Sequence, residues 1–240
     1  MIPRKIHYCW FGGKPLPLQA RRCLASWAYH LPDYQVVRWD ERSFDITAHP
    51  FAAAAYVAER YAFVSDYVRM RVLEEHGGIY LDVDVEVRAR FDDLLSLQLF
   101  IGTEDQQRFA TSIIGAQAGH WLPRHMLEFY DRTEFDLARL SELVNVNEVS
   151  RLLINQGFTG SGGDELRGQE RTLAIGMLAD ARGVAAPGMK PIARHFYAGS
   201  WRSRSDKGVL SRIVRGLRKL PEQIEAWLYL QCYRVGAYLR

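Results

Sequence analysis

The chain has 240 residues, of which 48% are hydrophobic and 25% charged, with a formal net charge of +3. That is the balance of a globular protein with one large domain and enough length for a substantial core. The small net charge argues against a chain-wide nucleic-acid binder. Three widely spaced cysteines, Cys9, Cys23 and Cys232, with no C-x-x-C between them, argue against a disulfide framework or a zinc site. Neither a signal-peptide core nor an apolar run of membrane-spanning length is present, so a cytoplasmic setting is expected.

In chain order, Lys5 to Phe11 reads as a strand closed by Gly12-Gly13 and two prolines. Leu18 to His30 is helical, with Leu24 and Trp27 at helical spacing, and Tyr34 to Trp39 is a second strand. Phe51 to Glu75 is an Ala-rich helical region long enough for more than one helix, stopped by Gly77-Gly78. A short buried strand carrying acidic residues follows. Leu99 to Gly102 and Thr111 to Ala116 are further strands, Leu122 to Asp131 and Asn147 to Asn155 are helices, and Ile192 to Tyr197 is a late strand. The alternation predicts an α/β fold with helices on both faces of the sheet.

The run Gly77-Gly78-Ile79-Tyr80-Leu81-Asp82-Val83-Asp84-Val85-Glu86-Val87 carries the chemistry. Two carboxylates one residue apart at the end of an apolar strand suit a hard divalent cation, Mn²⁺ or Mg²⁺, which takes oxygen ligands and can neutralise a diphosphate leaving group. Open α/β sheets place ligands beyond such strand ends. The alternative reading is an amphipathic edge strand, on which Asp82, Asp84 and Glu86 share one solvated face.

Four stretches stand out together: Ile2 to Gly13, Ala62-Phe63-Val64-Ser65-Asp66-Tyr67-Val68-Arg69, the Gly77 to Asp84 run, and His195-Phe196-Tyr197-Ala198-Gly199-Ser200-Trp201. In this order and spacing they resemble the family-32 "DXD" glycosyltransferases, which include capsule and polysaccharide enzymes and are distantly similar to the glucosylating domains of clostridial toxins. The resemblance implies a GT-A, Rossmann-like fold over residues 1–205. It also implies a retaining transferase that moves a sugar from a nucleotide-diphosphate donor, with UDP-sugars ahead of GDP-mannose. The acceptor would be a glycan or a lipid-linked saccharide.

The same resemblance assigns roles. Asp84 would be the firmer metal ligand, Asp82 beside it would contact the ribose or sugar or reach the metal through water, and His195 is a candidate third metal residue. Asp66 and Arg69, at i and i+3 on one helix face, would face the donor sugar. Trp10 would stack on the base, with the backbone of Cys9 and Phe11 reading its edge. Ser200 and Trp201 would cover the diphosphate as part of a closing lid. Glu86 and His7 read as structural. In the Thr159 to Asp164 loop, Ser161 stands where relatives carry proline.

Residues 206–240 form a separate, helical appendage. From Arg202 onward nine Lys/Arg stand against three Asp/Glu, so this end is net +6 and the rest of the chain −3. Over 208–240 the basic and apolar residues alternate with helical period, which fits either packing helices or contact with an anionic membrane surface, making a peripheral location the companion expectation. Rival functions from the sequence are a D-x-D phosphatase, whose first Asp is a covalent nucleophile, a silent nucleotide- or carbohydrate-binding module, and a nucleic-acid binder acting through the basic tail.

Overall fold

The computed structural model describes residues 1–105, 107–178, Gly188 and 190–197. The proposed appendage at 206–240, together with Ser200 and Trp201, lies outside the described residues. No helix among those described is long and apolar enough to cross a membrane.

The elements run β1 (Lys5–Cys9), α1 (Leu18–His30), β2 (Gln35–Trp39), α2 (Pro50–Val57), α3 (Tyr61–His76), β3 (Gly78–Leu81), β4 (Val85–Val87), β5 (Leu99–Asp105), β6 (Arg108–Ala116), α4 (Trp121–Asp131), α5 (Asn145–Asn155), β7 (Glu165–Arg167), β8 (Glu170–Leu173) and β9 (Ala193–His195). Seven strands form one sheet in the order β2-β1-β3-β6-β5-β8-β7, while β4 and β9 pair separately. The large sheet is mixed. β1 is parallel to β2 and β3, β5 is parallel to β8, and β6 is antiparallel to both β3 and β5.

Strand β3 shows how both faces are covered. Ile79 and Leu81 point into a core shared with Ile6, Tyr8, Trp27 and Phe100, whereas Tyr80 points into the opposite core with Phe63, Val68 and Ile114. Every residue of β3 is buried, as expected for a central strand with helices or side chains on each side. Helix α1 serves the first face through Trp27; α2, α3, α4 and α5 serve the second. The start of α1 at Leu18 matches the sequence reading, and Pro17 immediately before it takes the extended conformation of a helix N-cap.

Gly77 and Gly78 are required where they stand. Gly77 ends α3 with φ +60, and Gly78 opens β3 with φ +107. A Cβ on Gly77 would lie 2.6 Å from the Ala118 nitrogen, and one on Gly78 would lie 2.7 Å from the Lys5 carbonyl. Both the left-handed conformation and the close approach of neighbouring backbone therefore call for glycine.

The structure departs from the sequence expectations in three places. The Asp82–Glu86 stretch is not one strand: a turn, closed by Val85 N–H donating to the Asp82 carbonyl at 3.0 Å, interrupts it. Period-two alternation is lost there, so Glu86 does not share a solvated face with Asp82 and Asp84. It is buried, and its carboxylate meets Arg22 at 3.0 Å. Helix α5 begins two residues earlier than expected, at Asn145. The β7–β8 hairpin, which extends the sheet beside β5, is carried by short polar strands with no alternating apolar pattern to mark them.

His7 is structural, as the sequence reading has it. It is fully buried on β1, accepts the Trp39 indole N–H at Nδ1 (3.0 Å) and donates from Nε2 to the Gly77 carbonyl (2.9 Å). The ring is thus held as the neutral Nε2–H tautomer, because a proton on Nδ1 would face the indole N–H. Burial pushes the imidazole down to about 4, against the pull of the Gly77 carbonyl. With the folded pKa below the unfolded one, the unfolded state binds more protons between them. The stabilisation is complete above about pH 6.5 and is lost as pH falls toward 4, by roughly 3 kcal/mol for a shift of that size. Urea unfolding of wild type and His7→Gln should therefore converge as pH drops from 7.5 to 4.5. A stability difference independent of pH would refute this role.

Candidate active site and metal centre

The site forms where three parts of the chain meet: α3, the turn between β3 and β4, and the end of β9. Asp82 leaves the end of β3 tethered by its N–H to the Ser112 carbonyl at 2.9 Å. Asp84 follows on the turn. Strand β9 pairs antiparallel with β4, placing His195 opposite Val85. Phe196 N–H then donates to the Asp84 carbonyl at 3.0 Å, and His195 Nε2 lies 3.2 Å from Asp84 Oδ1. As a result Asp82, Asp84 and His195 each offer one ligand atom within 4.8 Å of the others.

Arg69 crosses beneath this group. Its Nη2 reaches Asp66 Oδ1 at 2.9 Å and Asp82 Oδ1 at 3.1 Å, its Nη1 donates to the Thr111 carbonyl at 2.5 Å, and its Nε to the Ser65 carbonyl at 3.4 Å. The guanidinium also lies over the Tyr80 ring at 4.4 Å. The Arg69 side chain is only 5% exposed, against 14% for Asp66 and 26% for Asp82. A planar fork is the side chain suited to hold two carboxylates and a carbonyl at once.

Two carbonyls in this network come from an irregularity of β6. The register with β5 jumps between Ile101↔Ile114 and Gly102↔Ala110, which leaves Thr111, Ser112 and Ile113 without a β5 partner. Bulges re-aim groups at functional sites. Here the Thr111 carbonyl turns to Arg69 and the Ser112 carbonyl to Asp82. The Thr111 hydroxyl donates to Asn145 Oδ1 at 3.0 Å, and Asn145 Nδ2 donates to Asp66 Oδ1 at 2.9 Å. Asn145 is absent from the sequence-based set. A polar residue at the start of an amphipathic helix reads as a cap, and only the fold shows it buried against Asp66.

The electrostatics are those of a carboxylate cluster short of positive charge. Burial raises the Asp66 carboxyl above its ordinary range; Arg69 opposes this and Asp82 adds to it. Asp82 is raised likewise, by burial first, against Arg69 and with the help of Asp84. Burial depresses His195, yet the hydrogen bond and charge of Asp84 prevail and raise it, with Asp82 and Glu104 contributing. His195 Nδ1 is buried without a hydrogen-bond partner. Two carboxylates, an imidazole with an unpaired nitrogen and donor atoms this close fit a divalent cation of the Mn²⁺ or Mg²⁺ kind, because oxygen and imidazole donors suit it.

The remaining sequence candidates lie near but not in this cluster. The register His7↔Tyr80 sets Cys9 level with Asp82. The Cys9 side chain is buried, its thiol pushed up by burial to about 12, and Phe11 is buried too. Trp10 packs on the α1-side core and spends its indole N–H on the Lys14 carbonyl at 2.5 Å. A concavity of about 560 Å³ opens instead beyond the C-terminal ends of β1 and β2, between Gly12, Gly13, Asp40, Glu41, Tyr56 and Tyr61. Tyr61 begins α3, the helix that carries Asp66 and Arg69.

Fold and site together define a GT-A-type α/β protein. The solved PaToxG glycosyltransferase is similar in fold, with a TM-score of 0.50 and 19% identity over 65% of this chain and 69% of that one. Residues 17–101 match the family described as the glycosyltransferase sugar-binding region containing a DXD motif, and Asp82-Val83-Asp84 lies within the matched stretch. Inositol phosphoceramide mannosyltransferase 3 of Schizosaccharomyces pombe is 29% identical over 123 residues, half of this chain and 34% of the yeast protein. Subversion of eukaryotic traffic protein A of Legionella pneumophila is 27% identical over 38% of this chain and 18% of its own length. The chain thus spans about a third or less of these relatives.

Asn145→Ala should cost about 1–3 kcal/mol, since it leaves the Asp66 carboxylate and the Thr111 hydroxyl each short of a buried partner. Asn145→Asp should cost more at pH 8 than at pH 5, because it sets a second carboxylate against Asp66. Urea denaturation at both values measures this. Wild-type stability in both variants would show that the network is not formed.

Proposed function

We propose that the chain is a metal-assisted, retaining glycosyltransferase that moves a sugar from a nucleoside-diphosphate donor. The observation that carries this reading is the convergence of Asp82, Asp84 and His195 beside the Arg69-bridged Asp66. The DXD family region supports it. UDP-sugars are the first expectation. The name of the yeast relative supports mannose as an alternative sugar and a lipid-linked acceptor alongside a glycan.

In this reading Asp82, Asp84 and His195 hold Mn²⁺ or Mg²⁺, which when bound would neutralise charge on the donor diphosphate. Asp66, kept receptive by Asn145 and Arg69, accepts hydrogen bonds from hydroxyls of the transferred sugar. Arg69 orients Asp66 and Asp82, because its fork is already engaged with both and with Thr111. The concavity walled by Tyr56 and Tyr61 has room for the nucleoside, whose base would meet an aromatic ring. Cleavage of the anomeric C–O bond places the electron pair on the leaving phosphate. The acceptor hydroxyl attacks from the same face, and its proton passes to that phosphate oxygen. A phosphatase would instead use Asp82 as a nucleophile, a role that its ion pair with Arg69 disfavours.

Thermal unfolding against UDP, GDP, CDP and their sugar conjugates, with and without Mn²⁺, tests the reading. A ligand at 100 times its dissociation constant adds about 2.7 kcal/mol, or roughly 5–10 °C for a domain of this size. The expected result is a metal-dependent shift for one nucleotide family that disappears in Asp84→Ala. No shift with any nucleotide, together with turnover of simple phosphate esters, would overturn it.

A further inference from the structure

We propose that Arg22 and Phe196 are positioning residues for the candidate metal centre, locking the β4–β9 pair so that His195 stays on Asp84. This rests on reading that cluster as a metal centre. Among the described residues, the β4–β9 unit has three residues per strand and no ladder to the seven-stranded sheet. Two such strands do not hold themselves in water, yet they carry Asp84 at one end and His195 at the other.

Helix α1 supplies what the ladder does not. The Trp27 indole N–H donates to the Val85 carbonyl at 2.8 Å, and the Ser26 hydroxyl accepts the Val87 N–H at 2.9 Å. Between these two anchors Arg22 Nη2 meets Glu86 Oε1 at 3.0 Å, with both side chains less than 5% exposed. A buried ion pair contributes little net stability compared with an apolar pair of the same volume. What it adds is direction, since a guanidinium and a carboxylate meet in few geometries. The pair sets the position of β4 along α1.

The same guanidinium reaches β9. Arg22 Cζ lies 5.5 Å from the centre of the Phe196 ring, and Arg194 Cζ lies 4.6 Å from it. Phe196 is therefore flanked by two cations, an attraction of ring quadrupole for charge. Its own N–H is bonded to the Asp84 carbonyl. On one side of Phe196, His195 approaches Asp84; on the other, Tyr197 adopts φ +47 and lays its ring 4.0 Å from the His195 imidazole. Fixing Phe196 thus fixes the residue on each side of it, and with them the imidazole that the cation site needs.

The test is Mn²⁺ affinity of the full chain, read from the electron paramagnetic resonance signal of free Mn²⁺, with UDP or GDP present. Phe196→Leu keeps apolar bulk and removes the π face; Phe196→Tyr keeps the π face. The leucine variant should lose about 10–100-fold in Mn²⁺ affinity, the range seen when outer-sphere support of a metal site is removed. The tyrosine variant should retain wild-type affinity, and Arg22→Lys, which keeps a charge for Glu86 but not the flat fork, should fall between. His120→Gln, which cuts the bond to Glu170 at the far end of β6, is the control for general loosening. Wild-type affinity in Phe196→Leu, or an equal loss in His120→Gln, would overturn the positioning role. Failure of the wild-type chain to bind Mn²⁺ with either nucleotide would overturn the metal-centre reading itself, and the role with it.

Discussion

The Arg69 guanidinium is the interaction on which the site depends. Three carboxylates, Asp66, Asp82 and Asp84, gather at one end of the sheet, and burial of any of them uncompensated would cost several kcal/mol. Arg69 compensates two of them from below and takes the Thr111 carbonyl as well. It does so from a helix buried on both sides, with Tyr80 beneath its plane. Helix α3 can lie there because Gly77 and Gly78 turn the chain in less space than any other residue allows, so that β3 starts directly behind α3 and ends beside its middle. Turn, strand and arginine thus form one unit.

A second dependence runs through the far side of the sheet. Asp84 is held less by the large sheet than by the β4–β9 pair, which is seated on α1 by Ser26, Trp27 and Arg22. The site therefore draws on both cores. Asp66 and Arg69 are placed from the α3 side, Asp84 and His195 from the α1 side, and Asp82 stands at the seam, bonded to Arg69 through its side chain and to β6 through its N–H. A change in either core reaches the cluster.

Much of this was legible in the sequence where a local rule sufficed. The helix stop at Gly77-Gly78, the buried strand and the paired aspartates follow from glycine chemistry and hydrophobic pattern, and Leu18–His30 from helical spacing after proline. Asp66 and Arg69 at i and i+3 announced a shared face, although not that the face is buried. What was hidden depends on distant pairings. Asn145 gains meaning only when α5 packs on the bulge of β6, and a bulge has no signature in an apolar run such as Ile113-Ile114. Glu86 looked like a third member of an acidic face because alternation was carried through a turn. The roles given to Trp10, Ser200 and Trp201 came from resemblance. Of these only Trp10 is described, and its indole N–H is committed to its own loop.

The fate of the D-x-D-x-E run shows why spacing alone does not assign chemistry. Three acids at period two would be equivalent on a continuous strand. The bond from Val85 N–H to the Asp82 carbonyl closes a turn that begins at the first acid and carries the second, so the third, on β4, enters a different environment. Asp82 and Asp84 remain partly exposed, the first paired with Arg69 and the second with His195. Glu86, two residues on, enters the core and is satisfied by Arg22 and Arg88. The same side-chain chemistry lines a candidate cation site in one case and serves as a strut in the other, and a turn of the backbone separates the two. Because the strut fixes β4, and β4 carries Asp84, the buried acid sets the position of the exposed ones.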